Sequence, residues 1–294
     1  MNPTSLVVPF ERLPPGYART LGPPPDPPVT PRPAATLALL RKGCKGPEVL
    51  LLRRSHRTRF IPGAFVFPGG RVDEGDTSPQ LQRLLEGLSP DEANARLGIS
   101  DPSLPGVAFW IAALRETFEE TGVVLGGGTN GVGSVSLEDQ DRPGRLRRDL
   151  QEGVISFVDV LKELGVVLGL GGVSYFGHWV TPVQERYRYD TRFFAAEIPP
   201  DCPVFPDGVE LVESLWLTPT EALDRNREGG LPLVFPTLFT LRALQPFKTP
   251  GEALEALGGE EIPRLLPRVE ETEDGVRMVL EGLPPTHSFT VDGR

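Results

Sequence analysis

The chain has 294 residues, 39% of them hydrophobic and 24% charged, with a formal net charge of -10 and a pI near 5.0. That is enough apolar chain for one sizeable core, and the acidic balance argues against a surface built for nucleic acid. No apolar run approaches the roughly 20 residues of a membrane span. The start lacks the basic-then-apolar pattern of a secretory signal. Cys44 and Cys202 form no CxxC pair, and His56, His178 and His287 are scattered. A cytoplasmic protein with two free thiols and no zinc site is expected.

In chain order, residues 1–33 form a proline-rich extension, densest in Pro14 to Pro33, that should be extended and semi-rigid. "AATLALLRKG" and "PEVLLLRRS" are two apolar runs around a turn at Gly43 to Pro47 and predict paired strands. "GAFVFPGGRV" is a third apolar piece ending in a double glycine. Residues 77–105 read as an inserted helical segment, in which Ser89, Pro90, Glu92 and Gly98 supply a helix start and stop.

A helix is predicted from about Gly106 to Thr121, stopped by Gly122. "GGGTNGVG" (Gly126 to Gly133) reads as loop, "RLRRDLQEGVISFVDVLKELG" as helix, and "VSYFGHWVTP" and "RYDTRFFAAEIP" as strands. "LVESLWLTPTEAL" passes from strand to a helix capped by Thr218, Pro219 and Glu221. A short helix follows Thr249, then a hairpin turning at Asp274-Gly275. These elements lack a regular βαβ rhythm, so a mixed sheet with helices packed on it is expected. The domain reading is 1–33 extension, 34–245 main domain, and 246–294 a C-terminal helix and hairpin packed on that domain.

On the predicted helix, Val107, Ile111, Leu114 and Phe118 form one apolar stripe, with Glu116, Glu119 and Glu120 roughly opposite. From the wheel alone, a solvated acidic face is the simplest account. Two costs oppose it. Like charges at i,i+4 cost about 0.2–0.5 kcal/mol each, and the C-terminal end of a helix dipole disfavours negative charge. A hard divalent cation would remove both, because such ions take carboxylate oxygens. Arg115 could then fix the orientation of Glu116.

The upstream loop decides the matter. Gly70 to Asp76, then Arg115, Glu116, Glu119, Glu120, Gly122 and Val123, resemble the Nudix hydrolase signature G-x5-E-x7-R-E-U-x-E-E-x-G-U, with U a bulky apolar residue. Asp76 stands where glutamate is usual, which puts a metal role for it in question. Thr117 stands where an apolar residue is usual, and 38 residues rather than seven separate Asp76 from Arg115. An insertion at a loop-to-helix junction costs little closure entropy, and the Nudix group that includes peroxisomal coenzyme A diphosphatases is similar in carrying one.

Leu50 to Gly70, "LLLRRSHRTRFIPGAFVFPGG", also resembles the coenzyme A diphosphatase pattern L-L-T-x-R-S-x3-R-x3-G-x3-F-P-G-G, with Leu52 replacing the threonine.

The resemblance implies an α+β fold, an α/β/α sandwich with a helical insertion and a C-terminal hairpin. It implies a diphosphatase using Mg2+ (or Mn2+) held by Glu116, Glu119 and Glu120. Arg115, Glu116 and Glu119 would be catalytic, with Glu210 or Glu213 as other bases. Arg53, Arg54, Arg59, Phe67, Gly69 and Gly70 would bind substrate; Arg186, Arg188 and Arg192 are further arginines, less securely placed. The implied partner is a small nucleotide such as coenzyme A, hydrolysed to 3′,5′-ADP and 4′-phosphopantetheine. Neither nucleic acid nor membrane is implied, and homodimerisation is left open. ADP-ribose or NAD-like dinucleotides are alternative substrates, and a non-catalytic Nudix-fold binding module is the alternative of another class. The insertion is expected to lid the pocket or to build a dimer contact.

Overall fold

The computed structural model describes residues 4–17, 21–58, 61–127, 133–134, 141–258 and 261–280. Its centre is an eight-stranded mixed sheet: β1 (Arg32–Gly43), β2 (Gly46–Arg54), β3 (Phe65–Val66), β4 (Gly69–Arg71), β5 (Val173–Val180), β6 (Tyr189–Glu197), β7 (Leu211–Leu217) and β8 (Arg264–Leu265). The order is β7-β2-β1-β6-β5-β8. β1 and β2 pair only from Leu40 and Val49 down to their turn. Beyond that they part, and the short strands fill the gap, β3 against β2 and β4 against β1. The β6–β1 and β5–β8 pairs are parallel and the others antiparallel.

Both faces of the sheet are covered, so its central strands are apolar on both sides. Leu37, Leu39, Leu50 and Leu52 enter one core cluster, the front, with the helix Val107–Thr121. Ala38, Leu40, Val49 and Leu51 enter the other, the rear, with the helices Pro219–Arg227, Phe235–Leu244 and Pro250–Gly258. The sandwich of helices about a mixed sheet is the expected architecture. Trp110 anchors the front helix: its indole donates to the Val173 carbonyl at 3.1 Å, and its ring lies 4.6 Å from that of Phe194.

The insertion departs from an all-helical reading. Between the helices Pro79–Gln82 and Pro90–Leu97, the strand Leu85–Glu86 pairs in parallel with Val167–Gly169. That strand in turn pairs Leu125–Gly127, so the segment Gly126 to Gly133, expected to be loop, begins and ends as strand; residues 128–132 lie outside the described residues. Ser89, Pro90, Glu92 and Gly98 cap the helix Pro90–Leu97 as expected. Leu81, Ala93 and Leu97 are buried in the front core, and Asn94 Oδ1 accepts the Gly106 N–H at 2.6 Å. The insertion therefore walls the core and seats the start of the front helix.

The N-terminal segment is not simply a strap of proline. Thr4–Pro9 pairs with Gly275–Leu280, which pairs with Arg268–Glu271, completing a three-stranded sheet around the expected hairpin. Val8 and Leu13 join the rear core, and Asn226 ties the segment down. The fully buried Asn226 accepts from Arg12 Nε and Nη2 at 3.2 and 3.0 Å, and donates to the carbonyls of Arg12 and Leu231 at 3.0 and 2.8 Å. Asn226→Leu strands the Arg12 and Leu231 carbonyls and is expected to lower unfolding free energy by about 1–3 kcal/mol in urea titrations.

Candidate active site

The front helix is buried nearly all round, because the sheet, the insertion and the helix Asp141–Gln151 cover it. Its glutamate side therefore faces the double-glycine loop rather than open solvent, and the solvated acidic face does not hold. Thr117 fits this burial, since its hydroxyl donates to the Ala113 carbonyl at 2.7 Å. Gly122 ends the helix in the left-handed region, at φ 76°, with its N–H on the Phe118 carbonyl at 2.8 Å.

Two distant segments meet here. Glu120 Oε2 accepts the Gly69 N–H at 2.8 Å. Gly70 lies so close to Glu116 that a β-carbon on it would overlap the carboxylate.

Arg115, only 7% exposed, binds this cluster together. Its Nε and Nη2 clasp Asp76 at 2.8 and 3.0 Å, Nη1 donates to Glu116 Oε1 and Glu119 Oε1, both at 2.9 Å, and Nη2 also donates to the Arg71 carbonyl at 2.9 Å. All five of its N–H groups are engaged. Burial opposes the charge of Arg115, but the Asp76 hydrogen bond and the Glu116, Asp76 and Glu119 charges outweigh it and hold the guanidinium protonated. Asp76, fully buried, thus serves as the arginine's partner. It also accepts the Asp73 N–H at 2.8 Å. The shorter carboxylate is completed by the arginine's length.

The three glutamates stay short of charge balance. Burial, opposed by Arg115 and reinforced by Glu119, pushes the Glu116 carboxyl up to about 7. Burial raises Glu119 likewise, against the pull of Arg115. Glu120 is raised well above the usual carboxylate range by burial and by Glu116, although the Gly69 N–H and Arg54 oppose the shift. Among the described residues no three His, Cys, Asp or Glu side chains stand together in an arrangement that would hold a metal ion as it is. Arg115 and Gly69 hold the carboxylates instead. The donor set itself fits a hard divalent cation: three oxygen ligands, no sulfur or imidazole, and more buried acid than the local arginines neutralise.

The sheet separates the other expected residues. Alternation along β2 sends Arg54 to the front with Leu50 and Leu52, where its charge acts on Glu120 and its Nη2 lies 3.8 Å from Glu210. Arg53 goes to the rear with Leu51. There it pairs with Glu213 at 2.6 Å and, with His56, Phe65 and Arg225, lines a separate cavity of about 400 Å³. Arg53 and Glu213 are thus not brought to the glutamates. Phe67 is a rear-core side chain, and only its backbone neighbours reach the site. Arg59 lies outside the described residues. Arg188 donates to the carbonyls of Thr181 and Val29, Arg192 is buried with His178 and Asp190, and Arg186 is exposed.

Sequence reasoning passed over Arg147, whose Nε and Nη2 donate to the Glu119 carbonyl at 3.3 and 2.9 Å, where Gln151 donates too at 3.0 Å. A cation at this helix end answers the dipole objection. It sits within "RLRR", which carries no signal that singles it out.

Comparison with known proteins matches this chain over residues 31–244 to the family described as NUDT19 Nudix domain. It is 33% identical over 272 residues to an acyl-coenzyme A diphosphatase NUDT19 from Gallus gallus, covering 80% of this chain and 71% of that protein. The Homo sapiens protein of the same name is 30% identical over 278 residues, covering 81% and 72%. Among solved structures, a NUDIX hydrolase from Alicyclobacillus acidocaldarius superposes with a TM-score of 0.63 at 30% identity, over 79% of this chain and 99% of that one.

Two outcomes follow from the charge arrangement. Asp76→Ala leaves Arg115 buried without its bidentate partner and is expected to cost about 3 kcal/mol by chemical denaturation. The second concerns pH. Glu116 in the fold keeps a proton that the unfolded chain sheds near 4.5, so the metal-free protein loses stability as pH rises from about 4.5 through about 7. A divalent cation bound at Glu116 would displace that proton. Calorimetry in buffers of differing ionisation enthalpy is expected to show proton release on binding and affinity that falls below pH 7.

Proposed function

The chain belongs to the NUDT19 Nudix domain family and is a Nudix hydrolase, and on that premise we propose that it hydrolyses coenzyme A or acyl-coenzyme A to 3′,5′-ADP and 4′-phosphopantetheine or its acyl form, with Mg2+ or Mn2+ bound. Water adds across the diphosphate, and one P–O bond of the bridge breaks. The observation that carries the reading is the Glu120–Gly69 hydrogen bond, which seats three carboxylates of one helix against the glycine loop and in front of Arg54.

When bound, the divalent ion supplies charge neutralisation at the phosphate oxygens and acidifies a water. Glu116, Glu119 and Glu120 supply the oxygens that would hold it. Arg115, fixed by Asp76, keeps Glu116 and Glu119 on one side of the helix. Arg54 lies on the same face and offers a planar fork of donors suited to a phosphate. At Gly70 a side chain would overlap the Glu116 carboxylate, so only glycine lets the loop backbone lie against it.

Two groups remain in place to take the proton of the attacking water. Glu116 sits near neutrality by burial. Glu210, beside Arg54, is the other, and Glu213 is set aside by its position behind the sheet. Coenzyme A is favoured over ADP-ribose because Leu50 to Gly70 resembles the coenzyme A diphosphatase pattern with its Arg54 beside the glutamates, and the similar proteins of Gallus gallus and Homo sapiens carry the name acyl-coenzyme A diphosphatase.

With Mg2+ present, mass spectrometry of the coenzyme A reaction is expected to find 3′,5′-ADP and 4′-phosphopantetheine. Turnover of ADP-ribose with none of coenzyme A would overturn the substrate. Glu119→Gln is expected to keep the native circular dichroism while lowering kcat roughly 10²–10³-fold, as losses of preorganised electrostatic groups do. An unaltered rate would return the chain to a binding role. Glu210→Gln, by contrast, flattens the pH–rate profile only if Glu210 is the proton acceptor.

A further inference from the structure

The glutamate helix ends against two elements, only one of which carries a residue of the hydrolytic reading, Glu210. One is the helix Asp141–Gln151, and the other is the loop from Phe205 to Leu211, which leads into β7. A single guanidinium joins all three. Arg147 gives Nε and Nη2 to the Glu119 carbonyl at 3.3 and 2.9 Å, and Nη1 to the Phe205 carbonyl at 2.9 Å. The Phe205 N–H returns to the Thr121 carbonyl at 2.9 Å. Two carbonyls of the last turn, among those a helix leaves without internal partners, are thereby satisfied by this loop and this arginine.

The loop beyond Phe205 is itself stiff. Asp207 Oδ1 accepts the N–H groups of Val209, Glu210 and Leu211 at 2.7, 2.9 and 3.0 Å. Glu210 thus sits in a closed turn that starts two residues beyond Phe205, and its carbonyl also accepts the Ser55 N–H at 2.7 Å. Arg147 makes its hydrogen bonds to backbone oxygens alone, and its charge acts on Asp207 of this loop and, less, on Glu120 and Glu119. It differs from Arg115, which draws carboxylate oxygens of Glu116 and Glu119 to itself. The two arginines divide the work: one holds the side chains, the other the backbone beneath them.

We propose that Arg147 is a positioning residue of this site. Its fork registers the Phe205–Leu211 loop against the end of the glutamate helix, and so sets where Glu119, Glu120 and Glu210 stand relative to one another. The proposal rests on the hydrolase reading for its kinetic consequences, but not for its effect on cation binding. A lysine would return the charge without spanning two carbonyls, because an ammonium is a point charge and a guanidinium a planar fork. Charge and geometry are thus separable.

The test uses the full chain with Arg147→Ala, Arg147→Lys and, as a neighbouring control, Arg145→Ala, which loses only an exposed pair with Glu163. Mn2+ affinity is measured by calorimetry without substrate, kcat and KM with coenzyme A and Mg2+, and thermal midpoint by circular dichroism. Arg147→Ala is expected to weaken Mn2+ binding and to lower kcat, each by about 10-fold or more, the range seen when groups supporting metal ligands are removed. KM should change little. Arg147→Lys is expected to keep a near-native midpoint and to recover less than half of either loss, while Arg145→Ala matches the parent.

Either Arg147 variant with Mn2+ affinity and kcat within about twofold of the parent overturns the proposal, whatever its midpoint, because that is what simple helix capping gives. If Arg147→Ala does not fold, Arg147→Lys decides. If the parent turns over no coenzyme A, the substrate reading fails, and the Mn2+ affinities alone decide the role of Arg147.

Discussion

A buried arginine with five acceptors organises the functional end of this protein. Arg115 is 7% exposed, and a guanidinium removed from water is tolerable only when its donors are met and its charge is balanced. Asp76 supplies the balance, and Glu116, Glu119 and the Arg71 carbonyl complete the shell. Meeting that demand brings together a loop and a helix with 38 residues between Asp76 and Arg115. The same demand leaves the glutamates with less positive charge than they need. Burial then pushes them toward protonation, and the proposed divalent cation would reverse it.

The sheet sets the second constraint. Neighbouring residues of a strand point to opposite faces, so Arg53 and Arg54 belong to different environments although they are adjacent in sequence. Arg54 stands over the front with the glutamates, whereas Arg53 stands over the rear with Glu213. An arginine-rich run upstream of the glycine loop is therefore divided by strand geometry. The parting of β1 and β2 beyond Leu40 and Val49 matters as much, since it opens the gap in which β4 presents Gly69 and Gly70 to the helix.

Much of this was legible from residue order. The helix length and its Gly122 stop, capping boxes such as those begun by Ser89, Ser156 and Thr218, the paired strands around Gly43 and the hairpin at Gly275 are local matters of turn chemistry and periodicity. Of these boxes the sequence reading named those at Ser89 and Thr218. Less legible was anything decided by what lies opposite. The helix wheel could not show that the acidic side of Val107–Thr121 would be roofed by a loop, nor that Asp76 would turn toward an arginine. The strand Thr4–Pro9 pairs with a partner at the far end of the chain, and nothing in a proline-rich start announces that register.

Residue order by itself determined the family, the acidic helix, the glycine turn and the arginine approach, because each is a pattern of residue types at set spacings. The tertiary structure alone decided which of those residues share a face. It put Arg54 with the glutamates and Arg53 behind the sheet, made Asp76 the anchor of Arg115, and drew Arg147 to the helix end. The reason is physical: burial, charge balance and the sidedness of a strand depend on what a residue is packed against, and spacing along the chain does not carry that information.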